Sequence, residues 1–145
     1  MSKEQYFENR NNYINGEDKA WVTDYCLRNW PEEVNHILRI ADDAIEHTFL
    51  FDLRWDMERT YEPVHFDQEV VWDYMPGDDP EFIFQFNRHQ FFICLGQAYA
   101  MTGDEKYAET FAELLDSWIK NNPLTEETKQ TTWRSIEAGI RLKPG

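Results

Sequence analysis

Cysteine, basic residues and long apolar runs are all scarce in this sequence. The two cysteines, Cys26 and Cys94, lie in separate apolar segments without metal-ligand spacing, so we interpret both as buried thiols and predict no disulfide, metal or cofactor site. No apolar run reaches the roughly 18–20 residues of a membrane span. Only 14 Lys and Arg stand against 28 Asp and Glu, giving a formal net charge of −14. This balance argues against nucleic acid or an anionic membrane as a partner.

The chain nevertheless has the material for a packed core. Hydrophobic residues make up 41% of it, including 6 Trp, 7 Tyr and 10 Phe, which is too aromatic for a disordered protein. Its 145 residues show no low-complexity tract and no linker. We therefore predict a single domain over residues 1–145.

The N-terminal sequence leaves the localisation open. Residues 1–6 lack the apolar segment of a signal peptide. If this N-terminus is native, a cytoplasmic protein is favoured; if a signal has been removed, the protein is exported.

Apolar spacing predicts an all-α chain outside residues 48–79. That stretch is rich in Trp, Tyr, Asp and Pro, which favours a long ordered loop that packs on the domain and has room for short strands. Helical spacing is found elsewhere, and the last three helices are interpreted as antiparallel hairpins. The predicted helices are a segment around 21–26, then 31 to about 47, 80 to about 101, 104 to 120, and 125 to 142. One core is expected to contain Phe82, Phe86, Phe92, Leu95, Tyr99, Phe111, Leu115 and Trp118.

Four consecutive polar residues, Asn87 to Gln90, interrupt the apolar segment 79–95. Four residues cover more than one helical turn, so they cannot all face one solvent-exposed stripe. Burying an unpaired neutral polar group costs roughly 2–7 kcal/mol. The run therefore indicates either a structural network or a site for a polar ligand.

The residues of this run each have two interpretations. Arg88 either contacts a substrate in a cleft or forms a buried ion pair with Glu81, Glu137 or another carboxylate, because its fork of donors suits carboxylate or sulfate. His89 is either a core histidine whose hydrogen bonds are made within the protein or a residue that contacts a ligand. The same two interpretations apply to Asn87.

Two tryptophans and three charged residues of the last predicted helix also have two possible roles each. Trp72 and Trp133 are either core residues or platforms on which sugar rings stack. Arg134, Glu137 and Arg141 are spaced i, i+3, i+7 on a predicted helix, so they share one face. That face is either an ion-pair network or part of a cationic groove.

Several motifs follow one another in an order that resembles a known family. Together they cover about residues 45–142, and the order is similar to the N-terminal helical domain of heparinase II/III-type polysaccharide lyases and to the helical domain of some alginate lyases. The motifs are Trp72, then Phe86 to Phe91, Ala98 to Ala108, Trp118 to Pro123 and Thr132 to Arg141.

The resemblance implies a fold and a function. It implies a partial (α/α) toroid of antiparallel helical hairpins that packs on a β-sandwich in the longer enzyme. It also implies β-elimination at a uronic acid of a heparan sulfate-like acidic polysaccharide, with this domain contributing a wall of the substrate cleft. The family's catalytic Asn, Tyr and His lie further along the chain, and no position here matches them, so we predict no catalytic residue and no activity for residues 1–145 alone.

The substrate-binding candidates under this interpretation share a place in the matching motifs. The alternative is a non-catalytic helical scaffold or carbohydrate-binding module, in which the same residues only stabilise helix packing. An uncovered helix face of a partial toroid would also favour self-association. The candidates are Asn87, Arg88, His89, Trp72, Trp133, Arg134 and Arg141.

Overall fold

The computed structural model describes residues 16–141, which are mostly helical. Within this range a two-stranded antiparallel sheet accompanies the helices, so the expectation of an all-α chain holds only in the coarser form of a mostly helical one. The helices are α1 (Gly16–Asn29), α2 (Pro31–Ile45), α3 (Pro80–Phe86), α4 (Gln90–Thr102), α5 (Glu105–Asn121) and α6 (Ser135–Arg141), with a 3₁₀ turn at Thr128–Gln130 and strands β1 (Thr48–Phe49) and β2 (Val64–His65).

Local chemistry sets several helix ends. Pro31 occupies the first turn of α2, where its missing N–H is not needed. The Asp79 carboxylate accepts from the Glu81 N–H at 3.0 Å at the start of α3, and Asp104 caps α5 in the same way. Gly103 ends α4 at φ 69°, a left-handed conformation that glycine adopts without strain.

The prediction of one helix from 80 to about 101 is wrong, because the polar run forms a corner. Helix α3 ends at Phe86, and α4 begins at Gln90. His89 adopts φ 63°, outside the right-handed helical region. The Asn87 side-chain amide donates to the Ile83 carbonyl at 2.8 Å. The same carbonyl accepts from the Asn87 backbone N–H at 3.0 Å, so Asn87 closes the last turn of α3 with both its main chain and its side chain.

The prediction of one helix from 125 to 142 is wrong as well. Thr128 donates its hydroxyl to the Pro123 carbonyl at 2.7 Å and accepts from the Thr125 N–H at 2.8 Å. These local bonds compete with helix formation, and a regular helix begins only at Ser135. Leu142, the end of the predicted helix, lies outside the described residues.

Residues 48–79 pack on the helices as an ordered loop, as predicted. Phe49 pairs with Val64 and Thr48 with His65 in the small sheet. The loop also places Trp72 in the interior, with 2% of its surface exposed. Its aromatic side chains thus belong to the core.

Phe86 is the centre of that core. It is fully buried, and its ring lies 4.7 Å from Phe49, 5.1 Å from Trp72 and 5.9 Å from Phe91 between centroids. Loop and helices therefore meet on one ring.

The predicted core set is correct in part. Tyr99 is 39% exposed, so its place in the core is wrong. Phe111 and Leu115 are only partly buried and pack against the cluster. The remaining five, Phe82, Phe86, Phe92, Leu95 and Trp118, are buried in it.

Two further sequence predictions concern the thiols and the membrane. Cys94 is buried and Cys26 only partly so, and burial raises the pKa of the Cys94 thiol to about 12. None of the helices within residues 16–141 combines the length and apolarity that a bilayer crossing demands.

The position of Phe86 gives a stability prediction. Phe86→Ala should lower the free energy of unfolding by roughly 3–5 kcal/mol, because it opens a cavity between loop and helices. Ile93→Ala is the control, since Ile93 lies four positions into α4 and is 43% exposed. Denaturant titration should show a loss below about 1.5 kcal/mol for the control; equal losses would contradict the assignment of Phe86 as the centre.

Candidate functional site

The Asn87 side chain joins three segments. Its Nδ2 donates to the carbonyls of Trp72 and Ile83, each at 2.8 Å, and its Oδ1 accepts from Trp118 Nε1 at 2.8 Å. All of its polar atoms have partners, and it is fully buried. Asn87 is thus a structural residue of the helix corner.

Arg88 forms the buried ion pair that was one of its two interpretations. Its Nη2 lies 3.1 Å from Glu137 Oε1 on α6, and no pair with Glu81 forms. Arg134 donates to both oxygens of Glu137, at 2.7 and 2.8 Å. Burial disfavours ionised Glu137, but the bonds from Arg134 and Arg88 outweigh it and hold its pKa below the ordinary value. Two arginines therefore share one carboxylate, and one positive charge is left over.

A second chain of contacts connects Arg88 to the long loop. Gln85 Oε1 accepts from Arg88 Nη1 at 2.8 Å, and Gln85 Nε2 donates to Asp56 Oδ1 at 2.8 Å. Burial raises the pKa of Asp56 to about 6, although the Leu53 N–H, which donates to it, acts in the opposite direction. The Gln85 amide is the link between loop and corner.

An open groove of about 790 Å³ lies beside this network. Arg88 and His89 from the corner and Arg141 from α6 contribute its charged and polar surface together with two amides. Of the described residues that line it, none is Asp or Glu. The full lining is Trp55, Met57, Gln85, Arg88, His89, Gln90, Phe92, Ile93, Phe111, Leu115, Ile140 and Arg141.

Three donor-capable atoms in these lining residues are buried and have no acceptor or donor partner among the described residues. They are Arg88 Nε, His89 Nε2 and Arg141 Nη2. A guanidinium nitrogen cannot accept, so two of the three atoms call for an acceptor. A buried unpaired donor costs about 1–3 kcal/mol, and an oxyanion would satisfy such atoms.

His89 and Arg141 share the Trp118 indole. The imidazole meets it edge-on at 4.9 Å, and the guanidinium carbon lies 4.7 Å from the ring centroid. Arg141 also donates Nη1 to the Asn87 carbonyl at 2.5 Å. Burial, with the charge of Arg141, lowers the pKa of His89 to about 3, and burial lowers the pKa of Arg141 to about 10. At neutral pH the pair is therefore a neutral imidazole beside a cation.

The other predicted site residues lie outside the groove lining. Trp72 is in the core and donates to Ser117 Oγ at 3.2 Å. Trp133 is partly buried and donates to the Asn122 carbonyl at 2.7 Å. The Arg134 guanidinium stacks 3.5 Å above the Phe84 ring while it pairs with Glu137. The structure thus places Arg88, His89 and Arg141 in the groove lining. Trp72, Trp133 and Arg134 lie outside the lining but next to it: the Trp72 ring is 6.1 Å from His89, the Arg141 guanidinium is 5.2 Å from the Trp133 ring, and Arg134 shares Glu137 with Arg88.

Sequence reasoning missed Trp55, Met57 and Gln85 as groove residues. Trp55 and Met57 lie in the long loop, where no periodicity indicates orientation. Gln85 precedes the polar run and looks like a helix surface residue. Within residues 16–141, no group of three or more His, Cys, Asp or Glu side chains is placed to hold a metal ion.

Comparison with known proteins identifies the family. The sequence profile of the family described as Heparinase II/III N-terminus matches residues 4–144. The chain therefore belongs to the heparinase II/III family and corresponds to its N-terminal region.

Individual relatives agree with this assignment. A heparin-sulfate lyase from Bacteroides stercoris is 36% identical over 124 residues, covering 72% of this chain and 18% of that protein. One from Bacteroides thetaiotaomicron is 32% identical over 119 residues, covering 75% and 17%. The crystal structure of heparan sulfate lyase HepC from Pedobacter heparinus matches with a TM-score of 0.63 and 26% identity, over 72% of this chain and 16% of that one. The chain thus spans about a fifth of the length of the curated relatives it matches.

The environment of His89 gives a prediction about protonation. Its imidazole should remain neutral at about pH 5, because the folded-state pKa lies well below the ordinary value of 6.5. The stability that this neutral form contributes is complete above about pH 6.5 and is lost as the pH falls toward 3. Nitrogen-15 NMR of the imidazole, with the urea-unfolded chain as reference, would measure this. A folded-state midpoint near 6.5 would contradict the burial of His89.

Proposed function

We propose that this chain is the N-terminal helical domain of a polysaccharide lyase that cleaves a heparan sulfate-like polysaccharide by β-elimination. The groove beside the helix corner would form part of the wall of its substrate cleft. The observation that carries the proposal is local charge inversion: the groove contains Arg88 and Arg141 and no carboxylate among its described lining residues, in a chain of net charge −14.

The chemistry of the substrate fits that surface. In β-elimination at a uronate, the enzyme offsets the carboxylate charge, removes the C5 proton and protonates the leaving O4. A guanidinium binds carboxylate or sulfate through charge-assisted hydrogen bonds. Arg88 and Arg141 would thus hold acidic groups of the chain, while proton transfer belongs to residues elsewhere in the longer enzyme.

The net negative charge of the chain does not prevent a polyanionic substrate from binding in the groove. Exposed charges more than about 8–10 Å apart are largely screened at physiological salt, whereas groups at the groove act at contact distance. Glu137 is the acidic group nearest to the arginines, but Arg134 and Arg88 already neutralise it. Arg141 therefore keeps its charge available to a ligand.

We further propose that the helices form an incomplete (α/α) toroid. Helices α4 and α5 are joined by the two-residue connection at Gly103 and Asp104 and pack against each other, and α2 packs against α4. Ile93, Ile119 and Ile136 leave between 43% and 60% of their surface exposed. Further helices of a toroid, or a second copy of the chain, would cover such apolar side chains.

The scaffold interpretation has support at specific residues. Asn87 has every polar atom satisfied internally, and Arg134 pairs with Glu137 and stacks on Phe84. These two side chains account for the helix corner and the attachment of α6 without any ligand. A binding role is therefore proposed for Arg88, His89 and Arg141 only.

The first functional prediction concerns Arg141 in the full-length enzyme. Arg141→Gln should raise KM for heparan sulfate, because one charge-assisted contact is lost. The increase should correspond to a loss of about 1–3 kcal/mol of binding free energy. Lys120→Gln is the control: it removes the same charge from an exposed position outside the groove. Thermal denaturation would be measured in parallel. Unchanged kinetics with a lowered melting temperature would favour the scaffold interpretation.

The second functional prediction concerns the isolated chain. Residues 1–145 should give no sustained lyase turnover, because none of its positions matches the catalytic Asn, Tyr and His implied by the family resemblance. Ultraviolet absorbance of the unsaturated uronate product, with heparan sulfate and alginate as substrates, would report turnover. Steady product formation by the pure chain would show that catalytic groups lie within it.

A further inference from the structure

Trp55 is a large exposed aromatic side chain at the rim of the groove. Half of its surface is exposed, and the residue lines the cavity that also contains Arg88 and Arg141. Trp72 and Trp133, by contrast, use their indole N–H groups within the fold. Trp55 is thus the tryptophan that the groove presents to a ligand.

The turn that carries Trp55 is held by hydrogen bonds. Asp56 Oδ2 accepts from the Leu53 N–H at 2.7 Å, and the Asp56 N–H donates to the Leu53 carbonyl at 3.1 Å. Gln85 donates to Asp56 at 2.8 Å and accepts from the Glu58 N–H at 3.3 Å. The residues that follow Trp55 are therefore fixed to α3, and Leu53, which precedes it, is bonded to Asp56; this limits the entropy lost when a ligand binds.

The same Gln85 amide fixes the cationic side of the groove. Its Oε1 also accepts from Arg88 Nη1 at 2.8 Å. One side chain thus sets the position of the Trp55 turn relative to the Arg88 guanidinium. Because both depend on Gln85, the aromatic surface and the cation have a fixed geometry relative to each other and form one preorganised site.

We propose that Trp55 is a stacking platform for one pyranose ring of an acidic polysaccharide, whose carboxylate or sulfate is bound by Arg88 and Arg141. The inference rests on the proposed function and adds a binding residue to it. A pyranose presents C–H groups on one face and polar groups at its edge. The face suits the negative π-surface of an indole, and the edge suits guanidinium donors.

Isothermal titration of the 145-residue chain with a short heparan sulfate oligosaccharide tests the proposal. Trp55→Ala should weaken binding about ten- to a hundredfold, as truncation of a central aromatic contact does, and Trp55→Phe should recover most of the loss. Trp30→Ala is the control, because Trp30 is exposed to the same degree, 51%, but is not part of the groove. Its affinity should equal that of the unaltered chain.

Two further ligands identify the acidic group. A fully desulfated oligosaccharide retains only carboxylates, and a carboxyl-reduced one retains only sulfates. The affinity of each is measured for the unaltered chain, for Trp55→Ala and for Arg141→Gln. The oligosaccharide whose affinity falls in both variants carries the acidic group that the arginines bind. Tryptophan fluorescence adds a direct readout: binding should shift the emission of the unaltered chain, and Trp55→Phe should abolish the shift.

The outcomes separate the inference from the function on which it rests. Weakening by Arg141→Gln but not by Trp55→Ala would overturn the platform and leave the acidic groove. No binding of any of the three oligosaccharides would overturn both. Equal weakening by Trp30→Ala would show that exposed tryptophan binds without regard to the groove, which also overturns the platform.

Discussion

The hydrogen bonds of the Asn87 amide hold the centre of this fold together. One side chain accepts from α5 at Trp118 and donates both to the loop at Trp72 and to α3 at Ile83. Removing it would leave the Trp72 carbonyl and the Trp118 indole N–H without partners, each at a cost of about 1–3 kcal/mol. The aromatic core around Phe86 supplies most of the apolar burial, but the amide determines how its three segments meet.

The helix corner that this amide stabilises is also what creates the groove. In a continuous helix, Arg88 and His89 would point in directions about 100° apart. The left-handed His89 ends α3 after one short segment and starts α4 in a new direction. Arg88 then reaches Glu137, and His89 reaches Trp118 next to Arg141. Structural and candidate binding roles are thus divided among adjacent residues of one short run.

The sequence predicts those features of the fold that depend on residues close to one another in the chain, and misses those that depend on distant contacts. Pro31, Gly103 and Asp104 act on their own helix ends, and their roles follow from side-chain chemistry within a few residues. The corner at 87–89 depends on the Trp72 carbonyl, 15 residues away, so spacing alone gave a continuous helix. Trp55 was missed for the same reason, because its orientation depends on a contact between Asp56 and Gln85 across 29 residues. The polar run itself marks the corner: the sequence predicts a structural network or a polar-ligand site there, but within one continuous helix.

The pairing of Arg88 with Glu137 has a consequence for the order in which the chain folds. The two residues are 49 positions apart, and such distant contacts form late because loop closure must precede them. On the ribosome, α3 and α4 emerge before α6, and during that interval the Arg88 guanidinium has no carboxylate from Glu137. The nascent corner must therefore stay hydrated, with α3 and α4 not yet fully packed, until Glu137 arrives. Burial of the Arg88 charge thus makes complete packing of the corner depend on α6, the last described helix.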